Sequence, residues 1–166
     1  MVDFTIVYNR YKARLYNFVL KMVSDRMVCD DIIQDVFMKL YKNLDRIRNK
    51  NSILYWLFKT TRNEIYDYYR SKYIKVDQFN VADTDNIELE ASENVELEVE
   101  HKELKDMIFA ELDKMDVAQR EVYLLKEYGG LSYKEISAVM GIDEKLVKSR
   151  LYKTRQKLIK RFEKII

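Results

Sequence analysis

The chain has 166 residues, enough for one ordinary domain or two small ones, and its 48% hydrophobic and 35% charged content favours folded cores over wholesale disorder. It has no proline and only three glycines, Gly129, Gly130 and Gly141, so the turn chemistry that sandwiches, barrels and doubly wound sheets need is missing and an all-α fold is expected. The net charge of +2 hides segregation: residues 1–75 hold 15 Lys+Arg against 8 Asp+Glu, residues 76–116 hold 3 against 14, and residues 117–166 hold 12 against 6. Two basic blocks flanking an acidic one suit a chain that meets a polyanion at two places.

Residues 4–22 place Phe4, Val7, Tyr8, Tyr11, Leu15, Phe18, Val19 and Met22 on one face of an amphipathic helix. Residues 26–44 repeat the pattern, with Ser24 and Asp25 available to cap the start. The acids of this second helix, Asp30, Asp31 and Asp35, lie with Gln34 away from its apolar stripe. The polar, basic stretch 45–51 then breaks the periodicity, and Ser52 is the expected N-cap of a third helix running to about Tyr73. Three helices of this size can share a core, which defines a first domain over 1–75. Residues 76–93 lose the periodicity and gain acid, and read as a linker. A flexible chain of about 20 residues spans roughly 25 Å. Helix resumes near Val95, with Leu97, Leu104, Met107, Ile108, Leu112 and Met115 as its apolar positions, so that 76–103 is an acidic connector and 104–166 a second small helical domain.

The second domain has the clearest punctuation. Asp116 with Gln119, and Ser132 with Glu135, have capping-box spacing. Gly129 suits a helix C-terminus, and Gly141 supplies the positive φ of a sharp turn between a short helix, 133–140, and a longer one capped by Asp143. This is a helix-turn-helix, with Ala138 small where the helices would cross and Ile136, Ile142, Val147 and Leu151 fixing their angle. From Asp143 onward there are nine Lys+Arg against three Asp+Glu, and Lys145, Lys148, Ser149, Tyr152 and Lys153 fall on one outward arc. A helix of that kind can lie in a DNA major groove, its cations on phosphates or guanines.

Residues 53–75 interleave Tyr55, Trp56, Phe58, Tyr66, Tyr68, Tyr69 and Tyr73 with Lys59, Arg62, Arg70, Lys72 and Lys75. Aromatic faces stack on unpaired bases while cations track the backbone, which is single-strand-binding chemistry. Trp56, spaced with Ile53 and Thr60, reads as core. The four tyrosines at 66, 68, 69 and 73 cannot all be buried on one helix, so some face solvent or a partner.

The two basic blocks together resemble the extracytoplasmic-function sigma factors of bacterial RNA polymerase, in the sigma-70 family. DDIIQDVFMKLYKNL resembles the polymerase-clamp-binding helix of region two, YWLFKTTRNEIYDYYR the melting and minus-ten-reading helix, and REVYLLKEYGGLSYKEISAVMGIDEKLVKSRLYKTRQKL region four. The resemblance covers about residues 5–75 and 104–162. It implies that Asp31, Gln34, Asp35 and Phe37 dock on core RNA polymerase. Arg46, Arg48, Asn49 and Lys50, in the loop 45–51, would meet a base flipped from the minus-ten element, and Lys59, Arg62, Asn63 and Arg70 would hold the melted strand. Lys145, Lys148, Ser149, Arg150, Tyr152 and Lys153 would read the minus-thirty-five duplex, while the acidic linker threads through polymerase. It further implies an anti-sigma partner. The pattern departs from the family at Lys145 and Leu146, where a small residue followed by threonine is usual.

A conventional helix-turn-helix regulator binding an operator as a dimer is the main alternative, and a helical adaptor that binds only protein is another. An enzyme is least expected, because the single His101 has no visible ligand set and the single Cys29, at a helix start beside Val28, suits a small buried residue. No metal and no cofactor are expected. No segment reaches the ~18 apolar residues of a membrane span, and the N-terminus lacks a signal-peptide pattern, so a cytoplasmic location without membrane insertion is expected.

Overall fold

The computed structural model describes residues 2–47, 49–79 and 96–163. Among them the chain forms seven α-helices and no strand: α1 Phe4–Val23, α2 Arg26–Asn43, α3 Lys50–Phe79, α4 Glu96–Asp113, α5 Val117–Glu127, α6 Tyr133–Met140 and α7 Glu144–Glu163.

The first three helices pack on one another around Leu15, Phe18, Val19, Val36, Leu40, Ile53, Leu57, Phe58 and Ile65, all nearly or fully buried. Burial of this many large apolar side chains, at roughly 1.5–3 kcal/mol each, is what holds three otherwise marginal helices together. Asp25 caps α2, accepting from the Met27 and Val28 amides at 2.9 and 3.2 Å. Ser24 does not share that task. It closes α1 in the left-handed region at φ 55°, its amide donating to the Leu20 carbonyl. Nor does Ser52 begin α3. That helix starts at Lys50, after a single 3-10 turn over Leu44–Arg46, and Ser52 lies in its first turn with its amide on the Asn49 carbonyl. It also runs past Tyr73 to Phe79, because nothing in this stretch, neither glycine nor proline, stops it. Most of the expected acidic linker, from residue 80 on, lies outside the described residues.

The second bundle, α4 to α7, closes on Leu112, Val122, Leu125, Leu131, Ile136, Val139, Val147 and Leu151. Only part of the expected stripe of α4 is covered: Leu112 is buried, whereas Leu104 and Met107 are exposed. The Ser132–Glu135 capping box forms in full, with reciprocal bonds of 3.1 and 2.8 Å. The Asp116–Gln119 box does not. Asp116 is the N-cap of α5 without a side-chain bond, and Gln119 instead accepts from Lys157 at 3.0 Å. At the α5–α6 turn the two glycines divide the work. Gly130 carries the positive φ, 68°, while a Cβ on Gly129 would stand 2.7 Å from the Leu125 carbonyl oxygen. Gly141, at φ 69°, makes the turn between α6 and α7, and Asp143 caps α7 through the Leu146 amide at 2.8 Å. Ala138 is exposed rather than placed at the α6–α7 crossing.

The bundles do not stand apart. α1 packs on α5 and α3 on α6, and the buried apolar side chains of both form one continuous cluster.

Candidate functional site

Three surfaces follow from this frame. The first is the outer arc of α7. Its inner side is pinned by Val147, Leu151, Thr154 and Leu158, with Thr154 satisfied by the Arg150 carbonyl at 2.8 Å. That fixes Lys145, Lys148, Tyr152 and Lys153 outward, all exposed, as the 3.6-residue period demands. Ser149 and Arg150 sit half-buried at the edge of the arc. The Lys148 ammonium lies 5.6 Å from the Tyr133 ring centroid, which ties the recognition helix to the start of α6.

The second surface lies on α2. Asp30, Asp31, Gln34 and Asp35 are exposed on one face, as expected. Phe37 is not on it. Its ring is buried, edge-on to Phe4 and Tyr8 at 6.4 and 4.8 Å, and reaches only the floor of an apolar groove of about 320 Å³ whose rim carries exposed Met38 and Tyr41. Beside it Lys39 bridges Asp35 and Glu64, at 3.1 and 2.7 Å. Burial and the neighbouring Asp35 push the Glu64 carboxyl up to about 7, against the pull of Lys39. Asp35 itself is held below its usual value by hydrogen bonding to Glu64 and Lys39.

The third surface is the aromatic and basic face of α3, and here the structure departs from a free strand-binding face. Asn63 and Arg70 are exposed, Arg70 paired with Asp67 at 2.7 Å, and Arg46 and Asn49 are exposed before the helix. Arg48 and the side chain of Lys50 lie outside the described residues. Lys59 and Arg62, however, point at the second bundle. Lys59 donates to the Val139 carbonyl at 3.4 Å, and Arg62 pairs with the fully buried Glu121. Tyr66 donates to the other Glu121 oxygen at 2.5 Å. Burial and that carboxylate push the Tyr66 hydroxyl up to about 12, so it stays a donor at any ordinary pH. Tyr69 donates to the Met22 carbonyl and accepts from Arg120 at 3.3 Å. Tyr66 and Tyr69 thus find partners within the chain, and the side chain of Tyr73 lies outside the described residues. Trp56 is half-buried against the core.

Two further cations of the first bundle face the same seam. Arg14 donates to the carbonyls of Gly129 and Gly130 at 2.8 and 3.2 Å, and Lys21 sits 3.9 Å over the Phe109 ring, where burial lowers its pKa. The sequence reading missed Arg14 and Glu121. The signal for Glu121 was present: with Val117, Leu124, Leu125 and Tyr128 it occupies the apolar stripe of α5, where a carboxylate needs a partner.

Cys29 is buried, with its thiol pushed up to about 12 by burial and by Asp30, the state of an inert core residue. No group of three His, Cys, Asp or Glu that could hold a metal occurs among the described residues, and none of their helices is long and apolar enough to cross a membrane.

A three-helix bundle with an acidic outer face, followed by a helix-turn-helix bundle with a basic recognition arc, defines a two-module class of nucleic-acid-directed protein. Comparison with known families makes this specific. Sigma-70 region 2 matches residues 7–73, and Sigma-70, region 4, matches residues 105–158. The chain is 31% identical over 154 residues to the ECF RNA polymerase sigma factor SigM of Bacillus subtilis, covering 92% of this chain and 90% of that one. It is 30% identical over 152 residues to the RNA polymerase sigma factor SigZ of the same organism, covering 92% and 82%. Among solved structures, the sigma factor RpoE of Bartonella quintana, in complex with the anti-sigma factor NepR, superposes at a TM-score of 0.80 with 22% identity over 97% of both chains. The chain belongs to the sigma-70 family of RNA polymerase sigma factors, in its extracytoplasmic-function branch.

Proposed function

We propose that the protein is a transcription initiation factor, not an enzyme, that binds core RNA polymerase, directs it to particular promoters and assists their melting. The observation that carries this is the presence of both sigma regions, in order, in one chain of family length. The acidic face of α2, with Asp31, Gln34, Asp35 and the groove floored by Phe37, is the polymerase-docking surface. Arg46, Arg48, Asn49, Lys50, Lys59, Arg62, Asn63 and Arg70 serve the melted minus-ten strand, and the exposed arc of α7 serves the minus-thirty-five duplex. The domains are 1–75 and 104–166, with 76–103 between them, and the site of action is the cytoplasm. Control by an anti-sigma factor is supported by the solved relative bound to NepR.

Melting a duplex costs a few kcal/mol per unstacked step, which captured bases and a third attachment to polymerase offset. The free chain is therefore expected to bind promoter DNA weakly and the holoenzyme to bind it well. Run-off transcription with core polymerase tests the reading. Promoter-dependent RNA only when the chain is present is the expected result, and no RNA across a promoter library overturns it.

A further inference from the structure

We propose that the cleft where α1, α3 and α6 meet is a binding site for a small nucleoside polyphosphate, its phosphates on Arg10, Arg14 and Lys134 and its base on the Tyr55 ring. The site stands on its own geometry and does not depend on promoter activity.

The cleft has a volume of about 590 Å³, and small-molecule sites commonly run from roughly 300 to 1,000 Å³. Arg10 and Arg14 line it from α1, Tyr55 from α3, and Lys134 and Glu135 from α6. Arg10 and Arg14 are one helical turn apart, and both guanidinium groups lie beside the Tyr11 ring, 5.8 and 5.5 Å from its centroid. Like charges so placed repel each other, and an anion between them relieves the repulsion. Neither arginine, nor Lys134, forms an ion pair among the described residues. The single carboxylate of the lining, Glu135, is committed through one oxygen to the Ser132 amide at 2.8 Å. A concave surface with an excess of one sign of charge concentrates ions of the other.

Arg14 is set in place before any ligand arrives. It donates to the carbonyls of Gly129 and Gly130 at 2.8 and 3.2 Å, and because both acceptors are neutral its charge stays uncompensated. A Cβ at Gly130 would stand 3.2 Å from the Arg14 Nε, so glycine lets the guanidinium lie against the turn.

The class of ligand follows from the lining. Three cations suit more than one phosphate group. The Tyr55 ring is 44% exposed and offers a face on which a base can stack, whichever base it is. The second Glu135 oxygen is an acceptor for a sugar hydroxyl. Inorganic polyphosphate would use only the cations, and an uncharged nucleoside only the ring and the carboxylate.

The test is isothermal titration calorimetry of the full chain with ATP, GTP, sodium tripolyphosphate and adenosine. At least one nucleotide is expected to bind about tenfold tighter than tripolyphosphate or adenosine. At tenfold its dissociation constant it is expected to raise the melting temperature by about 4 °C. Arg10→Gln weakens that nucleotide and tripolyphosphate alike by about tenfold or more, the loss of one charged hydrogen bond. Tyr55→Ala weakens the nucleotide by about fivefold or more and leaves tripolyphosphate unchanged. Arg10 and Tyr55 are exposed and outside the buried core, so both variants are expected to fold. Lys12→Gln removes the same charge from an exposed position of α1 outside the cleft and is expected to change neither ligand. Equal losses from Arg10→Gln and Lys12→Gln would reduce the binding to bulk charge and overturn the site. Tripolyphosphate binding as tightly as the nucleotides, with no effect of Tyr55→Ala, would overturn the nucleoside class. Absence of nucleotide binding, with a DNA single strand of about 12 nucleotides weakened by Arg10→Gln instead, would assign these cations to nucleic acid and overturn the proposal outright.

Discussion

Helices α3 and α7 carry the same kind of surface in sequence, lysine, arginine and tyrosine at helical spacing, yet they end in different states. On α7, Lys145, Lys148, Tyr152 and Lys153 stand in solvent, ready for a duplex. On α3, Lys59, Arg62, Tyr66 and Tyr69 are taken up by Val139, Glu121, Met22 and Arg120. The difference does not arise from the helices themselves. Apart from the Tyr69–Met22 bond, which lies within the first bundle, it arises from where the second bundle lies: α5 and α6 take up the side chains of α3, while nothing described covers the outer arc of α7. A basic, aromatic helix is therefore a statement of capacity, and whether the capacity is free depends on the neighbouring domain.

The comparison is broken most severely at the seam's apolar base. Phe58 is fully buried, 6.1 Å from the Phe18 ring, and touches the α5–α6 turn at Gly129. Phe58→Ala is expected to cost about 3–5 kcal/mol in urea unfolding, because it opens a cavity shared by both bundles. A loss under 1 kcal/mol would show that the seam carries little stability.

The acid cluster under the docking face has a smaller effect, and its sign is determined. Glu64 is raised from 4.5 to about 7 in the folded protein, so the native state holds the extra proton between those values. Stability is fully present below about pH 4.5 and declines as pH rises through about 7, by roughly 1–3 kcal/mol. Glu64→Gln is expected to flatten thermal stability across that window, and an unchanged slope would assign the titration elsewhere.

Smaller again is the effect expected on the open face. Lys148→Ala with Lys153→Ala is expected to weaken duplex binding about tenfold and reduce its salt slope by about 2, with folding unaffected. An unchanged slope removes both lysines from the interface. Ser132→Ala, which deletes half of the capping box, is expected to cost about 1 kcal/mol and to lower the melting temperature of the chain without altering salt dependence.

Much of the C-terminal bundle was legible in advance. Ser132 with Glu135, Gly141 and Asp143 act through bonds that span no more than four residues, so their spacing is their structure. The outward arc of α7 was legible for the same reason. Where an expectation was not met, a competing contact won. Gln119 turned to Lys157 instead of capping with Asp116, and Ser24 served the helix before it rather than the one after. Phe37 is buried between Phe4 and Tyr8, as its place in the apolar stripe of α2 requires, and it meets the proposed docking surface only as the floor of its groove.

The linear chain by itself settled the all-α class, the helices and most of their ends, the turn at Gly141 and the family, because each depends on periodicity, local hydrogen bonding or residue order. Tertiary packing alone decided which cations remain free. Arg14 meets Gly129 across 115 residues and Arg62 meets Glu121 across 59, and a guanidinium looks the same in sequence whether it faces water or a buried carboxylate. Only the approach of one bundle to the other supplies the low-dielectric seam in which such a pair becomes obligatory.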